Sequence, residues 1–390
     1  MKILALSDAG CYTGFGTVAH EWYTRWVDAG NEVHVLALNY KGDPWESNYK
    51  LYPASCINPH DFYGLSRIVE LINKVKPDAV FIINDLPVIN DFIYNNPYDK
   101  ERLLERQKIV MHVPIDAVGI PNHWKNPLNV GKVLVESEWG AKQLQDDRVE
   151  FVHLGVDHTK FFPVSKEKPI EVTVNGKFVV LTSKEEAKEM FGFGGKFVVL
   201  DINSNTTRKN HPDTLKAFKE FSLDKEDAIL YIHSPKGGDG GDMMQMVERL
   251  GLKGQVFFSK NELPHEFVNI VYNLSDVKLS TSIGEGFGLT DLEAISAGVP
   301  VIAQDFSATT EVVGDAGYLA SPAFTWTSTR MVDFSYPNLG EMVGYLNKVY
   351  SFSEEEKETM KNTCINQSLK FSWDKGAKRI LEIMEECISA

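Results

Sequence analysis

Two glutamates, Glu285 and Glu293, stand eight residues apart in Glu285-Gly-Phe-Gly-Leu-Thr-Asp-Leu-Glu293, with glycines at 284, 286 and 288. The apolar run ending near Ser280 reads as a strand, and a helical pattern opens near Leu289. Glycines between them let a ligand approach the backbone, and the first N–H groups of the helix, around Gly288 and Leu289, lack internal partners. An anion belongs at such a helix start. Carboxylates are poor partners for phosphate and good acceptors for hydroxyls, so the segment suits a ligand with phosphate at one end and hydroxyls at the other. An isolated acidic pair at a helix start would instead read as surface charge complementing the helix dipole.

The elements that must position these residues alternate strand and helix, the pattern of parallel sheets with crossover helices. In the first half, strands are predicted over 2–6, 32–38, 79–83, 108–113, 132–135 and 150–153. Val18, Trp22, Tyr23 and Trp26 share one face of the helix after the first strand, and Gly30 lies where that helix should stop. A charged stretch, Ser165-Lys-Glu-Lys-Pro169, separates this series from a second one over 196–202, 228–232, 255–258, 277–280 and 299–303. The run Gly237-Gly-Asp-Gly-Gly241 reads as a mobile loop, since no Gly-Lys-Ser/Thr follows it to make a phosphate loop. Residues 353–390 read as two helices, with Trp373 near the start of the last. The expected organisation is 1–170, 171–368 and a final helical segment, 369–390.

Length supports two domains, and the 43% hydrophobic and 24% charged fractions are ordinary globular values. A net charge of −14 opposes nucleic acid as the main partner. Cys11, Cys56, Cys364 and Cys387 form no C-x-x-C pair, which argues against zinc and disulfides and suits a reducing, cytoplasmic setting. The first apolar run is too short for a secretion signal, and no run of 18 apolar residues suggests a membrane span. Peripheral membrane contact stays open.

The segment from Ser282 to Val301 resembles the E-x7-E motif of glycosyltransferase family 4, in the GT-B superfamily. The resemblance extends to Asp276-Val277, Ala297-Gly-Val-Pro-Val301 and Glu311-Val-Val-Gly-Asp-Ala-Gly317. It implies an α/β GT-B architecture: two doubly wound, Rossmann-like parallel-sheet domains facing a cleft, with the C-terminal helix returning to the first. By the same resemblance, Glu285 holds hydroxyls of the donor sugar, Gly286, Phe287, Gly288 and Leu289 bind diphosphate and sugar through backbone, and Glu293 holds the ribose. Arg208 and Lys209 would face the diphosphate. Many members carry a further Arg where this chain has Asn203 or Ser204, so Arg208 stands as its substitute. Gly14-Phe-Gly16 resembles the family's glycine loop of the first domain. Its rival reading, a dinucleotide fingerprint, is opposed by the distance of Gly14 from the strand end and by Asn39 where an acidic residue is expected. His112 falls at a strand end where related enzymes place a His near the donor sugar, the alternative being a structural histidine. Asp116 and His153 are weaker candidates, and Asp157 reads as interdomain linker.

The implied function is a retaining, metal-independent transfer of sugar from a nucleotide-sugar donor to a glycan, lipid or other acceptor. No cofactor is required beyond the substrate. The base is expected against Ser259 to Glu262, where Asn261 or Glu262 could accept from guanine, which tilts the donor toward GDP-mannose over a UDP-sugar. The acceptor is expected near 120–126 and 87–91. Two other classes compete: a sugar-nucleotide epimerase of the same architecture, and a non-catalytic nucleotide-sugar-binding protein.

Overall fold

Continuous apolar runs make strands buried on both faces, which a parallel sheet requires. The computed structural model describes residues 1–11, 13–54, 61, 63–174, 176–234, 238–259, 263 and 265–390. It divides into two compact units: Met1–Gly155 with Ser372–Ala390, and Val156–Phe371.

Unit 1 is built on parallel strands β1 (Lys2–Ser7), β2 (Glu32–Ala37), β3 (Lys50–Pro53), β4 (Ala79–Ile83), β5 (Ile109–Val113), β6 (Gly131–Val135) and β7 (Val149–Phe151). Their order is β3-β2-β1-β4-β5-β6-β7, a doubly wound sheet whose direction reverses between β1 and β4. The strand absent from the sequence reading is β3, a four-residue edge strand that ends in a proline and has no buried residue. Such a strand carries no apolar run to be recognised by.

The helix Gly14–Asp28 buries Trp22, Tyr23 and Trp26 as its spacing predicts. All three rings meet Phe81 of β4, at centroid distances of 6.0, 6.5 and 4.9 Å. The final helix, Trp373–Ser389, closes over the same aromatic layer. Trp373 packs edge-on against Trp22 at 6.2 Å, and Trp26 Nε1 donates to Ala377 O at 3.0 Å. Arg379 pairs with Glu150 at 2.9 Å and Arg25 with Asp374 at 2.5 Å. The last helix is therefore part of unit 1's core.

Unit 2 begins earlier than the charged stretch suggests, at Val156 rather than 171. Its first residues are held by side chains of its own helices: Ser296 Oγ donates to Phe161 O (2.7 Å), Phe162 N donates to Asn269 Oδ1 (3.2 Å) and Val164 N to Asn273 Oδ1 (2.7 Å). The charged stretch is only a turn, closed by Ser165 N on Lys168 O. An antiparallel hairpin follows, β8 (Ile170–Val174) with β9 (Lys177–Leu181). The main sheet comprises parallel strands β10 (Phe197–Ile202), β11 (Ala228–His233), β12 (Val256–Phe258), β13 (Val277–Leu279), β14 (Val301–Gln304) and β15 (Gly317–Ala320), in the order β12-β11-β10-β13-β14-β15. Beyond β15, which the sequence reading lacks, β16 (Pro322–Thr327) and β17 (Asp333–Pro337) pair antiparallel. Phe324 stacks on Tyr336 and Trp326 on Phe334 along one face of this hairpin. Strand order reverses between β10 and β13, so ligands are expected outside the carboxyl ends of those two strands.

Among the described residues no helix is long and apolar enough to cross a membrane. Trp373→Ala would open a cavity beneath Trp22 and should destabilise unit 1 by about 3–5 kcal/mol. Urea unfolding followed by circular dichroism measures it, and an unchanged midpoint would contradict the place of the last helix in this core.

Candidate functional site

The loops leaving β10 and β13 of unit 2 carry the strongest candidates. After β10 the chain turns through Asn203–Thr206 into a 3-10 turn, Thr207–Lys209, and then into the helix His211–Phe221. After β13 it runs through Ser282–Gly288 into the helix Leu289–Ser296. Ile283 N donates to Arg208 O at 2.9 Å, fastening the two loops together.

Glu285 is 5% exposed, and each of its oxygens meets a cation. Lys209 Nζ lies 2.5 Å from Oε1, and Arg208 lies 3.0 Å from Oε2 while also donating to Gly284 O at 2.5 Å. Burial pushes the Glu285 pKa up, but the Lys209 and Arg208 charges outweigh it and hold the carboxyl below the usual range. Burial pulls the Lys209 ammonium down, against the pull of Glu285. The backbone at Glu285 is clamped too: its N–H donates to Ser307 Oγ at 2.9 Å, and its carbonyl accepts from Ala308 N at 3.3 Å.

Gly288 starts the helix Leu289–Ser296 in the left-handed region, φ +100°, where a Cβ would also sit 3.0 Å from Asp291 Oδ2. No side chain among the described residues caps this helix, so its first N–H groups remain donors for a ligand. Phe287 is 2% exposed and packs edge-on against Phe371, leaving only its backbone to serve a ligand. Glu293 accepts from Tyr272 Oη at 2.6 Å. Burial raises its pKa to about 7, with Tyr272 and Lys278 pulling the other way.

Several supporting residues were not legible in the sequence. Lys278 and Asp291 form an ion pair under the helix, at 0% and 1% exposure. His211, fully buried, lies 2.6 Å from Asp201 through Nδ1 and 3.1 Å from Ser204 O through Nε2. Both partners are acceptors, so the ring is doubly protonated. Burial opposes that charge, and the Asp201 carboxylate overrides it, raising the pKa. Asn203 donates to Asp201 Oδ1 (2.9 Å) and accepts from Thr290 Oγ1 (3.4 Å), linking the first loop to the site helix.

The glycine run, expected to be a mobile loop, is fastened to this site over its described part. Gly240 N donates to Asn205 O (3.2 Å), Asn205 Nδ2 to Gly241 O (3.1 Å) and Thr207 N to Asp239 Oδ1 (3.1 Å). A Cβ at Gly238 would overlap Asn205 O, and one at Gly240 would overlap Asn205 Oδ1. Glycine is needed there because the turn bearing Arg208 and Lys209 lies directly against the loop.

Other candidates fall elsewhere. The Ser259 hydroxyl is engaged by Tyr231 Oη at 2.9 Å and His233 Nδ1 at 2.6 Å. Asn261 and Glu262 lie outside the described residues. In unit 1, Gly14 and Gly16 form the first turn of the helix capped by Thr13, whose Oγ1 accepts from Gly16 N at 3.0 Å. A Cβ on Gly16 would overlap Cys11 O, so backbone packing alone accounts for that glycine. His112, expected beside the donor sugar, has no exposed surface. Its ring lies edge-on to Trp22 at 4.6 Å with Glu136 3.9 Å from Nδ1, and burial pushes its pKa down to about 3. The structure thus places it as a neutral core histidine. Asp157 is no free linker; its Oδ1 accepts from Thr159 N and Oγ1. Among the described residues, no cluster of three or more His, Cys, Asp or Glu could hold a metal ion.

Residues 157–328, within unit 2, match the model of the family of glycosyl transferases group 1. The match covers less than half of the chain. O-antigen chain mannosyltransferase B of Escherichia coli is 32% identical over 124 residues, which span 32% of this chain and 32% of that protein. Whole-length likeness comes from solved structures. Sucrose-phosphate synthase of Thermosynechococcus elongatus superposes with TM-score 0.76 at 14% identity, covering 100% of this chain and 99% of that one. Anabaena HepE in complex with UDP-glucose superposes with TM-score 0.71 at 16% identity, covering 99% and 100%. At such identities the likeness shows the fold alone: two α/β units, each built on a doubly wound parallel sheet.

Two predictions follow from this geometry. The raised pKa of Glu293 means that ionising it costs more in the folded state than in the unfolded one. Its contribution to stability is complete below about pH 4.5 and is lost as pH rises through about 7, a difference of at most about 3 kcal/mol. Glu293→Gln should therefore raise the melting temperature relative to the parent more at pH 8 than at pH 5; an equal difference at both would refute the assignment. Gly240→Ala should displace the Asn205–Thr207 turn and cost about 1–3 kcal/mol, read by thermal unfolding at neutral pH.

Proposed function

We propose that this protein transfers a sugar from a nucleoside-diphosphate sugar to a glycan, lipid or other acceptor, with GDP-mannose favoured as donor over a UDP-sugar. The observation that carries the proposal is the buried Glu285 gripped by Lys209 and Arg208 beside an uncapped helix start. That arrangement offers positive charge and backbone donors to a diphosphate, and a carboxylate that stays ionised to a sugar's hydroxyls. When diphosphate enters, Arg208 and Lys209 can share their charge with it. As the bond to C1 breaks and negative charge grows on the leaving group, the same cations and the helix start oppose it. Glu285 then orients the sugar and Glu293 accepts from the ribose.

We read the transfer as retaining and independent of a divalent ion, with the departing phosphate oxygen taking the acceptor's proton. Protein cations supply the charge compensation in this scheme. His112, enclosed in unit 1, is given no contact with the reacting atoms. The mannose preference is supported by the O-antigen mannosyltransferase relative, while the UDP-glucose complex of HepE keeps uridine donors in the test.

A thermal-shift panel of nucleotide sugars should single out the donor, which at 100 times its Kd adds about 2.7 kcal/mol of stability. With that donor, Lys209→Ala should lose about 1.5–3 kcal/mol of donor binding, roughly 10- to 150-fold. Glu285→Gln should lower kcat more than it raises KM. Both variants matching the parent in transfer would sink the proposal, and loss of transfer in excess EDTA would sink its metal-independence.

A further inference from the structure

We infer that Tyr272 is a positioning residue that fixes the Glu293 carboxylate so that only Oε1 is presented to the donor's ribose. The inference rests on the donor reading above. Tyr272 lies in the helix His265–Asn273, has no exposed surface, and packs its ring edge-on against Phe161 at 5.8 Å. Its hydroxyl donates to Oε2 of Glu293 at 2.6 Å, the short length expected when the acceptor is charged. A buried phenol in this place gives up its proton only far above the ordinary range, because burial and the adjacent Glu293 both oppose the phenolate. The tyrosine is thus a permanent donor. One oxygen of the carboxylate is always occupied, the plane of the group is held, and the other oxygen is left to accept from hydroxyls.

The same contact sets when Glu293 can do this. Four charged or titratable groups bear on it: Tyr272 from the neighbouring helix, Lys278 from β13, Asp291 from its own helix, and Lys160 from the segment before β8. Burial and Asp291 favour the neutral acid; Tyr272, Lys278 and Lys160 favour the carboxylate. Because Oε2 accepts the hydrogen bond from Tyr272, the acid form carries its own proton on Oε1, where it turns the ribose acceptor into a donor. Nucleotide affinity should therefore depend on pH near neutrality, and the tyrosine should decide where.

The test measures Kd for GDP and for UDP by titration calorimetry from pH 6 to 9. For the parent, affinity should fall several-fold below about pH 7. In Tyr272→Phe, which keeps the ring against Phe161, the midpoint should move up by about one pH unit because the carboxylate has lost its donor. Glu293→Asp withdraws the carboxylate from Tyr272 while keeping a carboxylate at this position and the tyrosine ring intact, and should displace the midpoint the same way. Glu293→Gln should bind weakly and keep only the pH dependence of the nucleotide's own terminal phosphate, which titrates near about pH 6. Midpoints that stay in place in both the Phe and the Asp variants overturn the inference, while weakened binding by Glu293→Gln would still uphold the donor reading. Glu293→Gln binding both nucleotides as tightly as the parent overturns the donor reading itself.

Discussion

A carboxylate at 5% exposure stays ionised only if the protein replaces the water it has lost, and at Glu285 the replacement is two cations. The rest of the site is arranged around that requirement. Lys209 and Arg208 must arrive at the carboxylate from a different strand, so the loops after β10 and β13 must be adjacent. The strand order of unit 2, with β10 beside β13, provides this. The same charge balance makes the place suitable for a diphosphate, since cations already committed to one anion can be shared with a second when ligand and helix start supply compensation.

The loops stay in position because each is braced by buried polar groups that satisfy one another. His211 and Asp201 lock the end of β10 to the start of the helix His211–Phe221. Lys278 and Asp291 do the same for β13 and the site helix. Such pairs add little net stability over well-packed apolar residues, but removing one partner leaves a buried charge and is costly. Their effect is to make one arrangement of the loops much better than its neighbours. The glycine loop adds a clasp of backbone and side-chain hydrogen bonds on Asn205–Thr207, which limits how far the turn carrying Arg208 and Lys209 can move.

Much of the architecture was legible in residue order because it depends on local pattern. The buried strands of both sheets are apolar runs, the helix Gly14–Asp28 shows its core face by spacing, and Gly288 marks a helix start. Legibility failed where the pattern was weak or misleading. The strand β3 is short and exposed, and the composition change at Ser165–Pro169 marks a turn rather than a boundary, since side chains from distant helices bind the residues before it. His112 sits at a strand end, which is compatible with a ligand contact, but aromatic packing from Trp22 encloses it.

The sequence alone determined the segment from Glu285 to Glu293, because a fixed spacing across a strand end, a glycine turn and a helix start is set by chain geometry over a few residues. It also determined the alternation of strand and helix that places such a segment at a sheet's carboxyl edge. Only the tertiary structure decided the partners: Lys209 for Glu285, 76 residues apart; Tyr272 for Glu293, 21 apart; Asp239 for Thr207, 32 apart. Those pairings follow from strand order and from the cost of leaving buried charges and hydrogen-bonding groups unmatched. Neither is written in the spacing of neighbouring residues. A basic dipeptide, a tyrosine and a glycine run therefore became parts of one site only when the chain had folded.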